Sequence, residues 1–128
     1  MKLLRTIRLD PSDAFVFDKA AEAGEWAVPG AFAFLDADPG ALEGKARVAF
    51  HTGFLGVQSL GFSTLCQIVH ADEEERQAAI ESLSGQLVST FGAPDAAAAR
   101  AAAEEEIAFA ASLCEHPAGT LIAMQRVF

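Results

Sequence analysis

The sequence has few basic residues, no tyrosine, only two cysteines and no long apolar run. Nine Lys and Arg residues stand against 18 Asp and Glu residues, which gives a formal net charge of −9. Nucleic-acid phosphates and anionic lipids select clustered cations, so this scattered minority argues against nucleic-acid binding and against membrane binding. No window approaches the roughly 20 apolar residues that a transmembrane helix needs.

The cysteines and the first residues both indicate the cytoplasm. The first ten residues carry a charge every two or three positions and contain no apolar stretch of signal-peptide length. Cys66 and Cys114 lie far apart and match no metal-ligand spacing. We therefore expect a cytoplasmic protein in which both cysteines are reduced, buried apolar side chains.

The size and composition predict one domain over residues 1–128. A chain of 128 residues that is 52% hydrophobic has enough apolar material for one core. Neither a disulfide nor a structural metal is needed to hold such a core together.

The first third of the chain predicts strands. Apolar and polar residues alternate over 3–9, which indicates a strand, and its charges favour the edge of a sheet. A short second strand is predicted at 14–17 and another strand at 25–35. Pro29 cannot donate to a ladder and Gly30 follows it, so a bulge or an edge position is expected there.

The middle of the chain predicts a helix, a loop and a strand. Asp36 or Asp38 can cap a helix that opens at Pro39 and ends at Gly53. A central strand is then predicted at 63–70, because both of its faces are apolar.

Two helices and a last strand follow. Asp72 and Glu75 have the spacing of a capping box, and the apolar residues after them recur at helical spacing as far as Phe91. An alanine-rich second helix is predicted at 94–115 and a final strand at 120–128.

Together these elements predict an α+β fold. We expect a mostly antiparallel sheet of four or five strands with three helices on one face. The short connection between the last two helices predicts that they form an antiparallel hairpin.

The Gly-rich segment 53–62 is the most unusual stretch. It lacks the Gly-Lys-Ser/Thr end of a phosphate-binding loop, since Phe62 and Ser63 follow Gly61. Its apolar residues, among them Phe54 and Leu55, either line the core or form an exposed patch that binds a partner or ligand.

No other pattern indicates chemistry. His51, His70 and His116 lack partners at helical metal-site spacing, and the acidic runs 72–75 and 104–106 are typical of solvated helix residues. No G-x-S-x-G motif is present. We therefore predict no catalytic residue, no metal and no cofactor.

Three segments carry a resemblance to a known family. Residues 1–10, Gly24–Val28 and Gly53–Val57 together resemble an uncharacterised family of small alphaproteobacterial proteins, a domain of unknown function, and the likeness covers essentially the whole chain. The resemblance implies no activity, cofactor or catalytic residue. It implies an assembly or accessory role, because members of that family tend to be encoded near accessory proteins of redox enzymes.

Two functional hypotheses follow. The first is a non-catalytic interaction or accessory protein of the bacterial cytoplasm, either a homodimer or bound to a protein partner. The alanine-rich helix supports it, because small side chains permit close helix–helix approach. The second is a small-molecule binding module or enzyme with a site near the 53–62 segment. The candidate ligand- or partner-binding residues are Trp26, His51, Phe54, Leu55 and Phe62.

Overall fold

The computed structural model describes residues 1–8, 12–34 and 42–123 and has an α+β fold. The strands are β1 Lys2–Thr6, β2 Trp26–Val28, β3 Phe54–Gly56, β4 Phe62–Ser63, β5 Leu65–His70 and β6 Leu121–Ala123. The helices are α1 Asp13–Val16, α2 Gly44–Thr52, α3 Glu73–Ser89 and α4 Ala96–Ser112, and a 3₁₀ helix covers Ala31–Phe34. The predicted fold class is thereby confirmed.

The strands form one curled antiparallel sheet. Their order is β4-β3-β2-β1-β5-β6, and every neighbouring pair is antiparallel. In β1, Leu4 lies opposite both Ala27 of β2 and Ile68 of β5. Directly paired residues project to the same face of a sheet, and these three side chains are buried. They form part of one continuous core.

The α3–α4 pair supplies the helical side of that core. The buried side chains, spaced three or four residues apart, are Ala79, Ile80, Leu83 and Leu87 in α3 and Ala99, Ala103, Ile107 and Ala110 in α4. The predicted capping box is confirmed, since Glu75 N donates to Asp72 Oδ1 at 2.8 Å and Asp72 N donates to Glu75 Oε1 at 3.1 Å. Asp95 caps α4 in the same manner by accepting from Ala98 N at 2.7 Å.

The predicted strand at 14–17 is wrong, because this segment begins with the short helix α1. Val16 N donates to Ser12 O, and Phe17 N donates to Asp13 O, both at 3.0 Å. A run of four apolar residues is compatible with either conformation. This fourth helix is one more than the sequence predicted.

The predicted edge position of the first strand is also wrong. β1 lies between β2 and β5 in the middle of the sheet. Its charge is accommodated there because the Arg5 guanidinium lies 4.2 Å from the centre of the Trp26 ring. Arg5 also lies 3.9 Å from the Glu75 carboxylate of α3, and about half of each of these two side chains is buried.

The predicted strand at 25–35 ends early, at Val28. Pro29 cannot continue the ladder, Gly30 has a φ of 78°, and the chain then enters the 3₁₀ helix. β2 is an inner strand between β3 and β1, so the expected edge position is wrong here as well.

Two further strands, β3 and the beginning of β4, lie in the 53–62 segment, and with the four strands that were predicted correctly they make the sheet six-stranded. β3 and β4 form a hairpin in which Leu55 lies opposite Phe62. Ser63 belongs to β4, whereas the central strand predicted at 63–70 is observed as β5 from Leu65.

Two predicted elements extend beyond the described part of the chain. α2 ends at Gly53 as predicted, but it begins at Gly44 because Glu43 is extended, so the predicted helical conformation of residues 42–43 is wrong. The predicted caps Asp36 and Asp38 and the predicted first residue Pro39 lie outside the described residues. β6 confirms the beginning of the predicted last strand, whose residues 124–128 also lie outside.

Candidate functional site

The 53–62 hairpin is part of the core. Phe54 and Leu55 are 0% and 1% exposed, so neither forms an exposed patch. A Cβ atom at Gly56 would lie 2.2 Å from the Glu25 carboxylate, and one at Gly61 would lie 2.3 Å from the Ala20 carbonyl oxygen. These glycines therefore permit close packing within the protein.

A buried carboxylate, Glu25, holds the turn of this hairpin. Its side chain is almost fully buried, and Oε1 accepts hydrogen bonds from Gln58 N and Ser59 N at 3.0 Å each. Oε2 accepts from Glu22 N at 2.8 Å and from Ser59 Oγ at 2.7 Å. Four donors use the acceptor capacity of a carboxylate, so Glu25 acts on the conformation of its own chain.

A second buried carboxylate, Asp13, holds the junction between β4 and β5. Oδ1 accepts from Thr64 Oγ1 at 2.9 Å and from Thr64 N at 3.4 Å, while Oδ2 lies 3.3 Å from the Ser63 hydroxyl that donates to it. The structural roles of both acids were not predictable from the sequence, since all their partners except Glu22 lie 33 to 51 positions away along the chain.

The structure places the five candidate residues in four environments. Phe54 and Leu55 are in the core. Phe62 is half-buried, 5.7 Å from the Phe17 ring, and occupies space that a side chain at Gly53 would need. The Trp26 side chain is beside Arg5, although the Trp26 carbonyl accepts from Val57 N of the hairpin at 2.9 Å.

His51, the fifth candidate, is half-buried on α2 with its ring 5.5 Å from that of Phe50. The described residues include no group of three or more His, Cys, Asp or Glu side chains that could hold a metal ion. Among the same residues, no helix combines the length and apolarity that crossing a membrane requires.

Both cysteines are buried thiols, as predicted. Burial raises the pKa of the Cys66 thiol far above its ordinary value, and the negative charge of Asp13 raises it further. Burial also raises the pKa of Cys114, which Lys2 partly opposes. Neither thiol has the electropositive, accessible setting that a nucleophilic cysteine needs.

An exposed apolar surface lies elsewhere, on α4. Phe109 is 51% exposed, and Ala98, Ala102 and Glu105 on the same side of the helix are exposed as well. At about 100° per residue, these three positions lie within about 40° of Phe109, whereas the buried Ile107 lies about 160° away. We call these four residues the outward face of α4. The alanines of this helix were predictable as a contact surface from the sequence, whereas the exposure of Phe109 was not.

Comparison with known proteins identifies the family. Residues 1–128 match the profile of a family of unknown function, DUF6505. The chain belongs to this family. Neither the curated proteins nor the solved structures contain a match. The resemblance to a family of unknown function is confirmed, whereas its alphaproteobacterial distribution stays a prediction.

Proposed function

We propose that this member of DUF6505 is a non-catalytic interaction or accessory protein that contacts its partner through the outward face of α4. The observation that carries the proposal is the half-exposed ring of Phe109, on the side of α4 away from the core. The solvent side of a surface helix ordinarily carries polar and charged side chains. On α4 three of the four residues of this side, Ala98, Ala102 and Phe109, are apolar, and Glu105 is charged.

The alanines alone would not support a contact surface, because alanine is the best helix former and is common on exposed helices for that reason. Phenylalanine gives no such advantage. Single exposed apolar side chains are common on protein surfaces, and Phe15 is exposed as well, so it is the joining of Phe109 with Ala98 and Ala102 into one patch that favours contact with a partner.

The buried polar groups support a non-catalytic role. The carboxylates of Glu25 and Asp13 accept hydrogen bonds from their own chain, and the raised pKa of Cys66 opposes its use as a nucleophile. The alternative, a ligand site near the 53–62 hairpin, has less support because Phe54 and Leu55 are in the core.

Site-specific photo-crosslinking in cells that produce the chain tests the proposal. The residue p-benzoylphenylalanine replaces Phe109 in one variant and Glu81, an exposed residue of α3, in a control variant. We expect one discrete adduct from position 109 and none from position 81. The proposal is wrong if position 109 gives no adduct, or if both positions give the same set of adducts.

A further inference from the structure

We infer that the outward face of α4 receives helix α2 of a second copy of this chain. The inference rests on the proposed function and names the partner of the same surface. It follows from two exposed patches, on α2 and on α4, that have similar apolar centres and opposite charge.

The first patch is on α2. Only one of its eight side chains, Ala49, is fully buried. Val48 is 38% exposed, and Lys45 and Arg47 are exposed near it. Helix α2 contains no Asp or Glu, and among the described residues no carboxylate lies within 4.0 Å of either cation. Its outward side is therefore an apolar residue flanked by positive charge.

The second patch, the outward face of α4, has the opposite charge. Glu105 is exposed about 40° around the helix from Phe109, and it has no ion-pair partner within 4.0 Å in the described part of the chain. The patch on α4, Phe109 beside the negative Glu105, is thus complementary to the patch on α2, Val48 between the positive Lys45 and Arg47. Such complementarity fixes register and partner choice at an interface.

The chain's charge restricts how two copies can meet. With a net charge of −9, two copies repel each other in most orientations. Lys45 and Arg47 lie about 160° apart around α2, so one of these cations in one copy can face Glu105 of the other, which replaces repulsion by local attraction. If α2 of each copy contacts α4 of the other, two equivalent contacts form about a two-fold axis and the assembly closes as a dimer.

Contact with a second copy would also stabilise helix α2. A helix of nine residues is too short to be stable alone in water. Within its own copy it buries Ala49 and half-buries Phe50, and packing of Val48 against Phe109 of the second copy would add an apolar contact on its exposed side.

Sedimentation velocity on the purified chain, over a wide range of protein concentration, tests the inference. We expect a monomer–dimer equilibrium for the wild-type chain. Both Glu105→Lys and the double variant Lys45→Glu/Arg47→Glu should raise the dissociation constant about tenfold or more. All three positions are exposed, so the variants should fold normally, which circular dichroism checks.

The matched control is Glu81→Lys, which makes the same charge change at an exposed residue of α3. If overall charge alone governed association, Glu105→Lys and Glu81→Lys would both strengthen it by reducing repulsion. The inferred contact predicts opposite behaviour, with weakening only for Glu105→Lys.

Mixing the variants provides the decisive measurement. In a mixture of Glu105→Lys chains with Lys45→Glu/Arg47→Glu chains, each α2 meets an α4 of opposite charge, so a heterodimer should form although neither variant associates alone. A monomeric wild-type chain, or a mixture that stays monomeric, overturns the inference. If the wild-type chain is monomeric but position 109 still gives a specific adduct with another protein, the proposed function stands and only the second copy is wrong. If position 109 gives no adduct either, both are wrong.

Discussion

Replacing the carboxylate of Glu25 by an amide tests whether this buried group holds the hairpin turn. In the wild-type chain, the 5%-exposed carboxylate accepts four hydrogen bonds, three of them from backbone N–H groups. In Glu25→Gln, the amide oxygen can keep the bonds from Gln58 N and Ser59 N. The NH₂ group then faces Glu22 N–H, and two donors meet without an acceptor.

The magnitude follows from these contacts. A buried donor that loses its acceptor costs about 1–3 kcal/mol, and the remaining bonds lose the extra strength of a charged acceptor. We therefore expect Glu25→Gln to lower the free energy of unfolding by about 2–4 kcal/mol. Urea unfolding followed by circular dichroism measures this difference.

Glu22→Gln is the matched control, since it makes the same charge change on an exposed side chain three residues earlier. Its free energy of unfolding should stay within about 0.5 kcal/mol of the wild-type value. Hydrogen exchange localises the effect, because the amides of Gln58 and Ser59 should lose protection only in Glu25→Gln. If both variants unfold at the same urea concentration as the wild type, Glu25 does not hold the turn.

Four further changes test other parts of the fold by unfolding and labelling measurements. Gly61→Ala should lower stability by about 1–3 kcal/mol in urea unfolding, because its Cβ would lie 2.3 Å from the Ala20 carbonyl oxygen. Gly85→Ala should instead raise the free energy of unfolding by about 0.8–1 kcal/mol, because a Cβ there meets nothing within 4 Å and alanine favours the helix. A lower free energy of unfolding would show that the space around Gly85 is not open. Asp72→Ala removes the cap of α3 and should cost about 1 kcal/mol in thermal unfolding. Burial raises the pKa of Cys66, so its thiol should react with a thiol reagent at pH 8 only after denaturation. Because the unfolded chain ionises this thiol first, its contribution to stability should decline as the pH rises above about 8.5, a decline that Cys66→Ala should remove.

The last two helices were predictable because their signals are local. Buried apolar residues recur at spacings of three and four between Ala79 and Leu87 of the 17-residue helix α3, and both ends of its capping box lie within one turn. The sequence therefore predicted α3 and α4 and their packing on each other. A long helix contains many repeats of its own pattern, so a few exceptions do not obscure it.

The hairpin and α1 were not predictable by the same means. β3 and β4 contain three and two residues, too few for alternation to be recognised. Their pairing depends instead on the side chain of Glu25, which contacts Ser59 34 positions later. No short window of sequence contains both residues.

The unusual composition of residues 53–62 reflects packing, because the glycines meet Glu25 and Ala20 within the fold. The polar groups buried around the hairpin bind one another, so they leave little capacity to bind anything else. Groups that could still bind a partner lie on the surface. Phe109 is exposed to water, and among the described residues there is no ion-pair partner for Lys45, Arg47 or Glu105. Since burial of apolar area and pairing of opposite charges both favour association, the function of this chain is better sought on α2 and α4 than in its glycine-rich segment.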